Sequence, residues 1–579
     1  MTRRLAVAAS LAAVAAYWIL NFLLGPFWAV RRYGREPGVA DWAFAMSLGE
    51  WLWYAAGLLA ALAAALLLRY ALRETDARRF TVAWPVAFAV LAAVVIRYAV
   101  LQGAPTCDDE MVYLFQARAL AGGSWTAAPP PDANAFEHLF LGIYRGHWFG
   151  QYSFGHPLVL APAALLGLAG LVGPLLTGLI VLLVYLLARE LFDERVAALS
   201  ALLAAVSPLL LSTGATLLSQ NSATALVLLG ILLTLCASKS GRFTHALGAT
   251  LALGAAFWCR SQEPALLGFF PLLLLAWRVV KGPSRLSLFG GALLGAALTI
   301  GPLLLVQGHL WGHPFWTNYQ AYWWGYLGVE LRSPFGFGPA PWDNFHTPLA
   351  GLTALARNLT RLDSFLVGLP LALVVATYGA WTVRSNRRAL AVFAGFVLTC
   401  VVLFFYFWPG LADTGPQLFH AAGALLLPFV AVGLLTMLRG RFAPVAVAGV
   451  ITLIATATFW PMHLGALHRA GRAGDEIPRA VADAGVERAV VFSGIRPWTG
   501  GHERCWVLGR PLPHTDLRDD VLYLKTQGKP VDLPLARRLF PDREVWLLKQ
   551  IDGKLGLIRM EDFTGKPSLQ NVARERDLP

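Results

Sequence analysis

The stretch Gly173-Pro-Leu-Leu-Thr-Gly-Leu-Ile-Val-Leu-Leu-Val-Tyr-Leu-Leu-Ala188 contains no charge and is followed by Arg189-Glu-Leu-Phe192. Together these residues reach the roughly 20 that cross a bilayer core as a helix. Twelve more apolar segments of the same kind lie near 5–29, 51–69, 81–101, 195–212, 217–237, 244–259, 263–280, 286–307, 364–383, 389–408, 417–438 and 443–460. The segments on either side of Arg260 are short and predict a tight hairpin. The chain has 579 residues, of which 57% are hydrophobic and 14% charged, with a mean hydropathy of +0.57. Soluble globular chains run at roughly 45–50% apolar and 25% charged. An ordinary soluble enzyme, a disordered chain and a disulfide scaffold are thereby excluded. The fold class expected is an α-helical polytopic membrane protein with a bundle of about 13 transmembrane helices.

The basic residues set an orientation, because Lys and Arg collect in cytoplasmic loops. They cluster at Arg3/Arg4, Arg73/Arg78/Arg79, Arg189/Arg195, Lys239/Arg242, Arg278/Lys281/Arg285, Arg384/Arg387/Arg388 and Arg439/Arg441. With thirteen spans all of these fall on one side, and the exception among the clusters is Arg31, Arg32 and Arg35, which face the other. The N-terminus is then cytoplasmic and reads as an uncleaved signal anchor. The net charge of +13 is spread over short loops, so it marks topology and not nucleic-acid binding.

The long polar segments all lie on the extracytoplasmic side. They are loops 102–172 and 308–363, a turn at 409–416, and the tail. Eleven of the twelve histidines share that side, His245 being the exception. Cys107 and Cys505 lie there too, but an odd count of five cysteines defines no disulfide framework. In the tail, β-like runs such as Arg488-Ala-Val-Val-Phe492 and Glu544-Val-Trp-Leu-Leu548 flank the helical Leu535-Ala-Arg-Arg-Leu539. The organisation expected is two extra helices in 1–80, a catalytic membrane module in 81–460, and a small α/β or α+β domain in 461–579. The tail has no Gly-rich phosphate loop, CxxC or HExxH motif.

Chemistry concentrates in the outer loops. Thr106-Cys-Asp-Asp-Glu110 places three acids directly outside a span and opens an amphipathic helix. Acids there complement a helix dipole, or they serve as a general base or metal ligand. Gly150-Gln-Tyr-Ser-Phe-Gly-His-Pro157 is a shaped turn, and its His156 is either a ligand or a hydrogen-bonded structural group. Arg260, in Trp258-Cys-Arg-Ser-Gln-Glu-Pro264, sits at the outer end of a short span. Its guanidinium suits a phosphate, or it snorkels to lipid headgroups. Eight of the sixteen residues in Trp311–Tyr326, Tyr319 among them, are aromatic. They suit either sugar stacking or the membrane interface. Asn358-Leu-Thr360 matches a glycosylation sequon.

These features together resemble the GT-C superfamily of polyprenyl-phosphate-sugar-dependent glycosyltransferases. The nearest group is that of the protein O-mannosyltransferases and lipid A aminoarabinose transferases, in its bacterial branch. The resemblance covers roughly 81–460 and rests first on Asp109-Glu110, Tyr113-Leu114 and Ala117-Arg118. Gln151-Tyr152 through His156-Pro157 is similar to a family turn, with Ser153 and Phe154 in place of prolines. Leu186–Phe192, Gly312-His-Pro and Phe335-Gly-Phe-Gly338 also resemble family segments. Gly415-Pro416-Gln417 resembles a Gly-Pro-Arg turn with Gln for Arg, which removes one phosphate contact.

The resemblance implies an inverting transfer of a sugar from a polyprenyl-phosphate donor to a lipid-linked, glycan or protein acceptor at the bacterial plasma membrane. Asp109 is then the base, with Asp108 as the other register of a doubled acid. Glu110 orients the acceptor or a metal. Arg260 meets the leaving phosphate, and Tyr152, His156, Tyr319 and Gln417 line the substrates. The lipid chain lies between spans, among membrane lipids. Some family members use a divalent ion and others do not, and no ligand spacing here identifies a metal. The competing reading is a multi-span transporter or lipid flippase, a class that favours internal repeats and midplane charges. No repeat is visible, and the acids lie at the outer surface.

Overall fold

The computed structural model describes residues 80–329, 333–340, 345–439, 443–494, 510–551 and 554–563. The spans expected at 5–29 and 51–69, and Cys505, lie outside the described residues. The architecture is mostly helical. Seven described helices are long and apolar enough to cross a membrane: Ala83–Val100, Ala169–Leu191, Gln220–Ser240, Gln262–Lys281, Arg285–Trp311, Arg387–Phe404 and Gln417–Met437. Two bent pairs bring the number to as many as nine. Phe243–Cys259 and Pro444–Thr458 complete the bundle as shorter apolar helices. Seven to nine spans are therefore described where eleven of the expected thirteen fall.

The bends have local causes. Glu194–Ala205 turns by 50° into Pro208–Gly214, whose proline occupies a first-turn position where no N–H is needed. Pro348–Val367 turns by 83° into Ala372–Thr382. Gly368 there has φ +73°, and Asp363 accepts from the N–H groups of Leu371 and Leu373 at 2.7 Å each. One buried carboxylate thus caps the second half of the broken span. Elsewhere small residues set the spacing, as lipid-embedded helices require. A Cβ on Gly291 or Gly295 would strike the Phe243–Cys259 helix at Phe243 O or Thr250 Oγ1.

The basic turns meet at one end of the bundle. Glu190 accepts from Lys239 Nζ and Arg388 Nη1, both at 3.1 Å. Asn386 Nδ2 donates to Leu191 O at 2.9 Å. At the opposite end the chain between Gln102 and Val172 builds a compact layer. It comprises the helix Asp108–Ala121, an antiparallel ribbon of Leu141–Tyr144 with His147–Gly150, and the helix Gly155–Leu165. The last is an apolar helix packed on the bundle, not the outer loop expected there. The expected 308–363 loop is likewise shortened from both sides, by Arg285–Trp311 and Pro348–Val367. Asn358 of the sequon is buried within the latter helix and donates to Pro409 O at 2.7 Å, so its amide is not a surface acceptor.

The tail carries a four-stranded sheet in the order Lys554–Arg559, Glu544–Ile551, Ala489–Ser493, Val521–Lys525. The first pair is antiparallel and the other two pairs are parallel. The helix Lys529–Leu539 lies between two of its strands in sequence. Alternation divides its side chains. Val491 and Leu548 pack with Ile477 and Val481 of a preceding helix. Val490, Phe492, Leu524 and Leu547 pack with Phe115, Phe136 and Trp148 of the outer layer. The tail therefore shares a core with the loop that carries the three acids.

Candidate active site

The helix Asp108–Ala121 begins at Cys107, whose extended backbone (φ −158°) aims the first turn outward from the Ala83–Val100 span. The three acids of that turn diverge at once. Glu110 is fully buried. Its Oε1 accepts from Thr106 N and Thr106 Oγ1, both at 2.7 Å. Its Oε2 accepts from Leu217 N at 2.8 Å and faces Arg97 Nη1 at 3.5 Å. Every oxygen of Glu110 is occupied in holding the loop, a neighbouring helix end and a buried arginine together. Asp108 is also buried and lies 3.9 Å from His138 Nε2.

Asp109 differs. It is partly exposed, and Tyr152 Oη donates to its Oδ1 at 2.7 Å. Its Oδ2 receives no hydrogen bond from another described residue. Burial lifts its carboxyl to about 6, against the Tyr152 hydrogen bond and the Arg260 charge, which pull it down. That value suits a group that takes a proton near neutral pH.

Tyr152 reaches Asp109 because two glycines bracket it. A Cβ at Gly150 would strike Val112 and Gln116 of the acidic helix, and one at Gly155 would strike the backbone of Trp258. The turn is thus pressed between the acidic helix and the Arg260 corner. Gln116 Nε2 and Asn318 Nδ2 then clamp the Tyr152 carbonyl at 2.9 and 2.8 Å.

Arg260 occupies the two-residue corner between Phe243–Cys259 and Gln262–Lys281, where the short hairpin was expected. Its Nε pairs with Glu263 Oε1 at 2.7 Å and its Nη1 donates to Ser219 Oγ at 3.3 Å. Its Nη2 makes no hydrogen bond among the described residues. Ser219 Oγ also bonds Tyr113 Oη at 2.8 Å. Tyr113 lies one turn along the helix from Asp109, so Tyr113 and Ser219 connect the two ends of the site.

The charge of Asp109 acts on Tyr319, and that of Arg260 acts on Tyr406. Burial pushes both phenols upward, so both are hydrogen-bond donors at neutral pH. His156 is buried and saturated, with Nδ1 to Ser222 Oγ at 2.8 Å and Nε2 to Leu217 O at 2.7 Å. It pins the start of the Gln220–Ser240 helix and takes the structural reading. Gln417 opens the turn before His420–Met437, its N–H donating to Gly410 O at 3.0 Å. Among the described residues no group of three His, Cys, Asp or Glu side chains could hold a metal ion. The divergence of Asp108, Asp109 and Glu110 explains why the acidic run does not form one.

Tyr113, Ser219, Tyr406 and His420 were not picked out as site residues from the sequence. The signal available was the polar run Ser219-Gln-Asn-Ser222 inside an otherwise apolar segment.

Residues 168–304 match the family described as dolichyl-phosphate-mannose-protein mannosyltransferase. In fold, the chain is similar to ArnT from Cupriavidus metallidurans, solved bound to undecaprenyl phosphate. That likeness has a TM-score of 0.50 at 14% identity, covering 80% of this chain and 93% of the other. The apo oligosaccharyltransferase of Archaeoglobus fulgidus is also similar, with a TM-score of 0.40 at 14% identity over 73% of this chain and 63% of that one. No curated protein matches the chain. The chain thus resembles that mannosyltransferase family over residues 168–304 and ArnT in fold.

Proposed function

We propose that the protein is an inverting glycosyltransferase. It moves a sugar from a polyprenyl-phosphate donor to an acceptor hydroxyl on the extracytoplasmic face of the plasma membrane. The single observation that carries this reading is Asp109. It is the one acid of the three that is not buried, tuned to about 6, and linked through Tyr113 and Ser219 to Arg260. The undecaprenyl phosphate bound by the similarly folded ArnT supports a lipid phosphate as the donor's carrier.

In the proposed step Asp109 Oδ2 takes the acceptor's hydroxyl proton while that oxygen forms a bond to the sugar's C1. The bond from C1 to the phosphate oxygen breaks, and its electron pair leaves with polyprenyl phosphate. Attack from the face opposite the leaving group inverts the anomeric centre. Tyr152 holds the carboxylate in place through Oδ1. Negative charge builds on the departing phosphate, and Arg260 Nη2, with its guanidinium fixed by Glu263, stabilises it there. Charge at one surface of the bundle, and not at its midplane, favours this chemistry over transport.

The test is a comparison of glycolipids and surface glycans with and without the gene, followed by transfer with purified protein and a polyprenyl-phosphate sugar. Accumulation of an unmodified acceptor in the deletion strain, and its modification in vitro, is the expected outcome. An unchanged glycan inventory together with ligand uptake into sealed vesicles would replace this reading by transport.

A further inference from the structure

The Gln220–Ser240 helix opens with a polar segment that lies inside the protein. Ser219, Gln220, Asn221, Ser222 and Thr224 are all at most 2% exposed. Much of their hydrogen-bonding capacity is used. Ser219 serves Arg260 and Tyr113, Ser222 serves His156, and Asn221 Nδ2 donates to Thr213 O at 2.9 Å. Thr224 Oγ1 bonds Nδ1 of His420 at 2.7 Å.

His420 itself is entirely buried, and its Nε2 has no hydrogen-bond partner among the described residues. Gln220 Oε1 is orphaned in the same way. Gln220 and Thr224 are four residues apart and share one helix face. A folded interior seldom leaves such an atom without a partner, and the unanswered ring nitrogen of His420 marks a place that a ligand completes.

Thr224 fixes what His420 offers. Other buried threonines in the spans donate back one turn: Thr177 to Gly173 O, Thr234 to Gly230 O and Thr399 to Gly395 O, at 2.7–2.9 Å. Thr224 has no such bond, and its hydroxyl points to His420. With that proton donated to Nδ1, the ring carries its own hydrogen on Nε2 and presents a donor. Thr224, which holds His420, and Ser219, which holds Arg260 Nη1, lie five residues apart at the start of one helix, so both donors are anchored there and an oxygen anion would answer each.

We infer that His420 is a second phosphate-binding residue. Its Nε2–H donates to a non-bridging oxygen of the polyprenyl phosphate held by Arg260. The inference rests on the lipid-phosphate reading above and names a residue which that reading does not include. A neutral donor also leaves the phosphate free to depart, where a second fixed cation would hold it.

The test measures binding of undecaprenyl phosphate, and of undecaprenol as the uncharged control, to the purified full-length protein in nanodiscs. His420→Asn keeps a group at the Nδ1 position and loses Nε2, whereas His420→Gln places an amide N–H near Nε2. We expect His420→Asn to weaken undecaprenyl phosphate binding about 10-fold or more, as for a lost hydrogen bond to a charged group. His420→Gln should restore part of it, and undecaprenol binding should stay at the wild-type level in both. Loss of both lipids by His420→Asn, without rescue by His420→Gln, assigns the residue to folding and overturns the inference. Wild-type affinity in His420→Asn, with binding lost in Arg260→Ala, overturns the role of His420 and leaves the function standing. Failure of the wild-type protein to prefer the phosphate overturns both.

Discussion

Two helix starts face the site, and they are built on opposite plans. The helix Asp108–Ala121 opens with three carboxylates, and the helix Gln220–Ser240 opens with five residues of which none is charged. At the acidic start the charge is mostly consumed. Glu110 is saturated by Thr106, Leu217 and Arg97, and Asp108 faces His138, which leaves Asp109. At the neutral start the reverse holds, because buried polar atoms of Gln220 and the adjoining His420 are left over after folding. Charge count is therefore a poor guide to function here. What distinguishes a working atom is that folding has not used it.

The comparison breaks most decisively at Asp109. Asp109→Asn should lower the transfer rate by about 10²–10⁴, the span credited to a positioned general base, with the melting temperature nearly unchanged. Full activity in that variant would leave Asp109 with a structural role, like its neighbours. Glu110→Gln should show the opposite signature. Removing one partner of a buried charge pair costs about 3–5 kcal/mol, so the yield and thermal midpoint of purified protein should fall while the rate per folded molecule changes far less. A rate loss as large as that of Asp109→Asn, in a stable Glu110→Gln protein, would erase the distinction between the two acids.

Arg260→Gln should reduce kcat by about 10², the order expected for one electrostatic contact to a developing charge. A loss confined to KM would mean that Arg260 binds substrate and transition state alike. The smallest effect concerns pH. A base must be deprotonated to act, so kcat/KM should rise with pH through about 6 and level off above it. Tyr152→Phe removes a hydrogen bond that holds the Asp109 carboxyl down, so the rising limb should move to higher pH. An unshifted profile would show that Tyr152 does not touch the base during turnover.

The legible and illegible parts of the sequence divide along the same line. Asp109 and Arg260 could be picked out because charge is rare in an apolar chain and costly near a membrane. The role of Glu110 could not, since its partner Leu217 lies 107 residues away. His156 could be flagged but not assigned, because its two ring nitrogens are answered by Leu217 and Ser222, more than 60 residues along. His420 and Tyr113 look like ordinary span and helix residues until the fold places Thr224 and Ser219 against them. Apolar runs located most spans, but bends at Pro208 and Gly368 come from local backbone chemistry that hydropathy does not register. The alternating strands of the tail predicted its sheet. Nothing in that alternation indicated which surface the sheet would cover.

That surface gives the molecule a timetable. His138 Nε2 meets Arg510 O at 3.0 Å across 372 residues of chain, and Gln527 meets Asp132 across 395. The layer bearing Asp108 and Asp109 leaves the ribosome well before the strands that supply part of its core. At about 5–20 residues per second that interval lasts roughly 20–75 s. Throughout it Phe115 and Trp148 lack the strands that later cover them. A chain ending before Arg510 should keep its spans and still show Trp148 accessible to an aqueous fluorescence quencher, whereas the full chain should protect it. The outer layer is thus completed only when the tail strands arrive, long after Asp109 has left the ribosome.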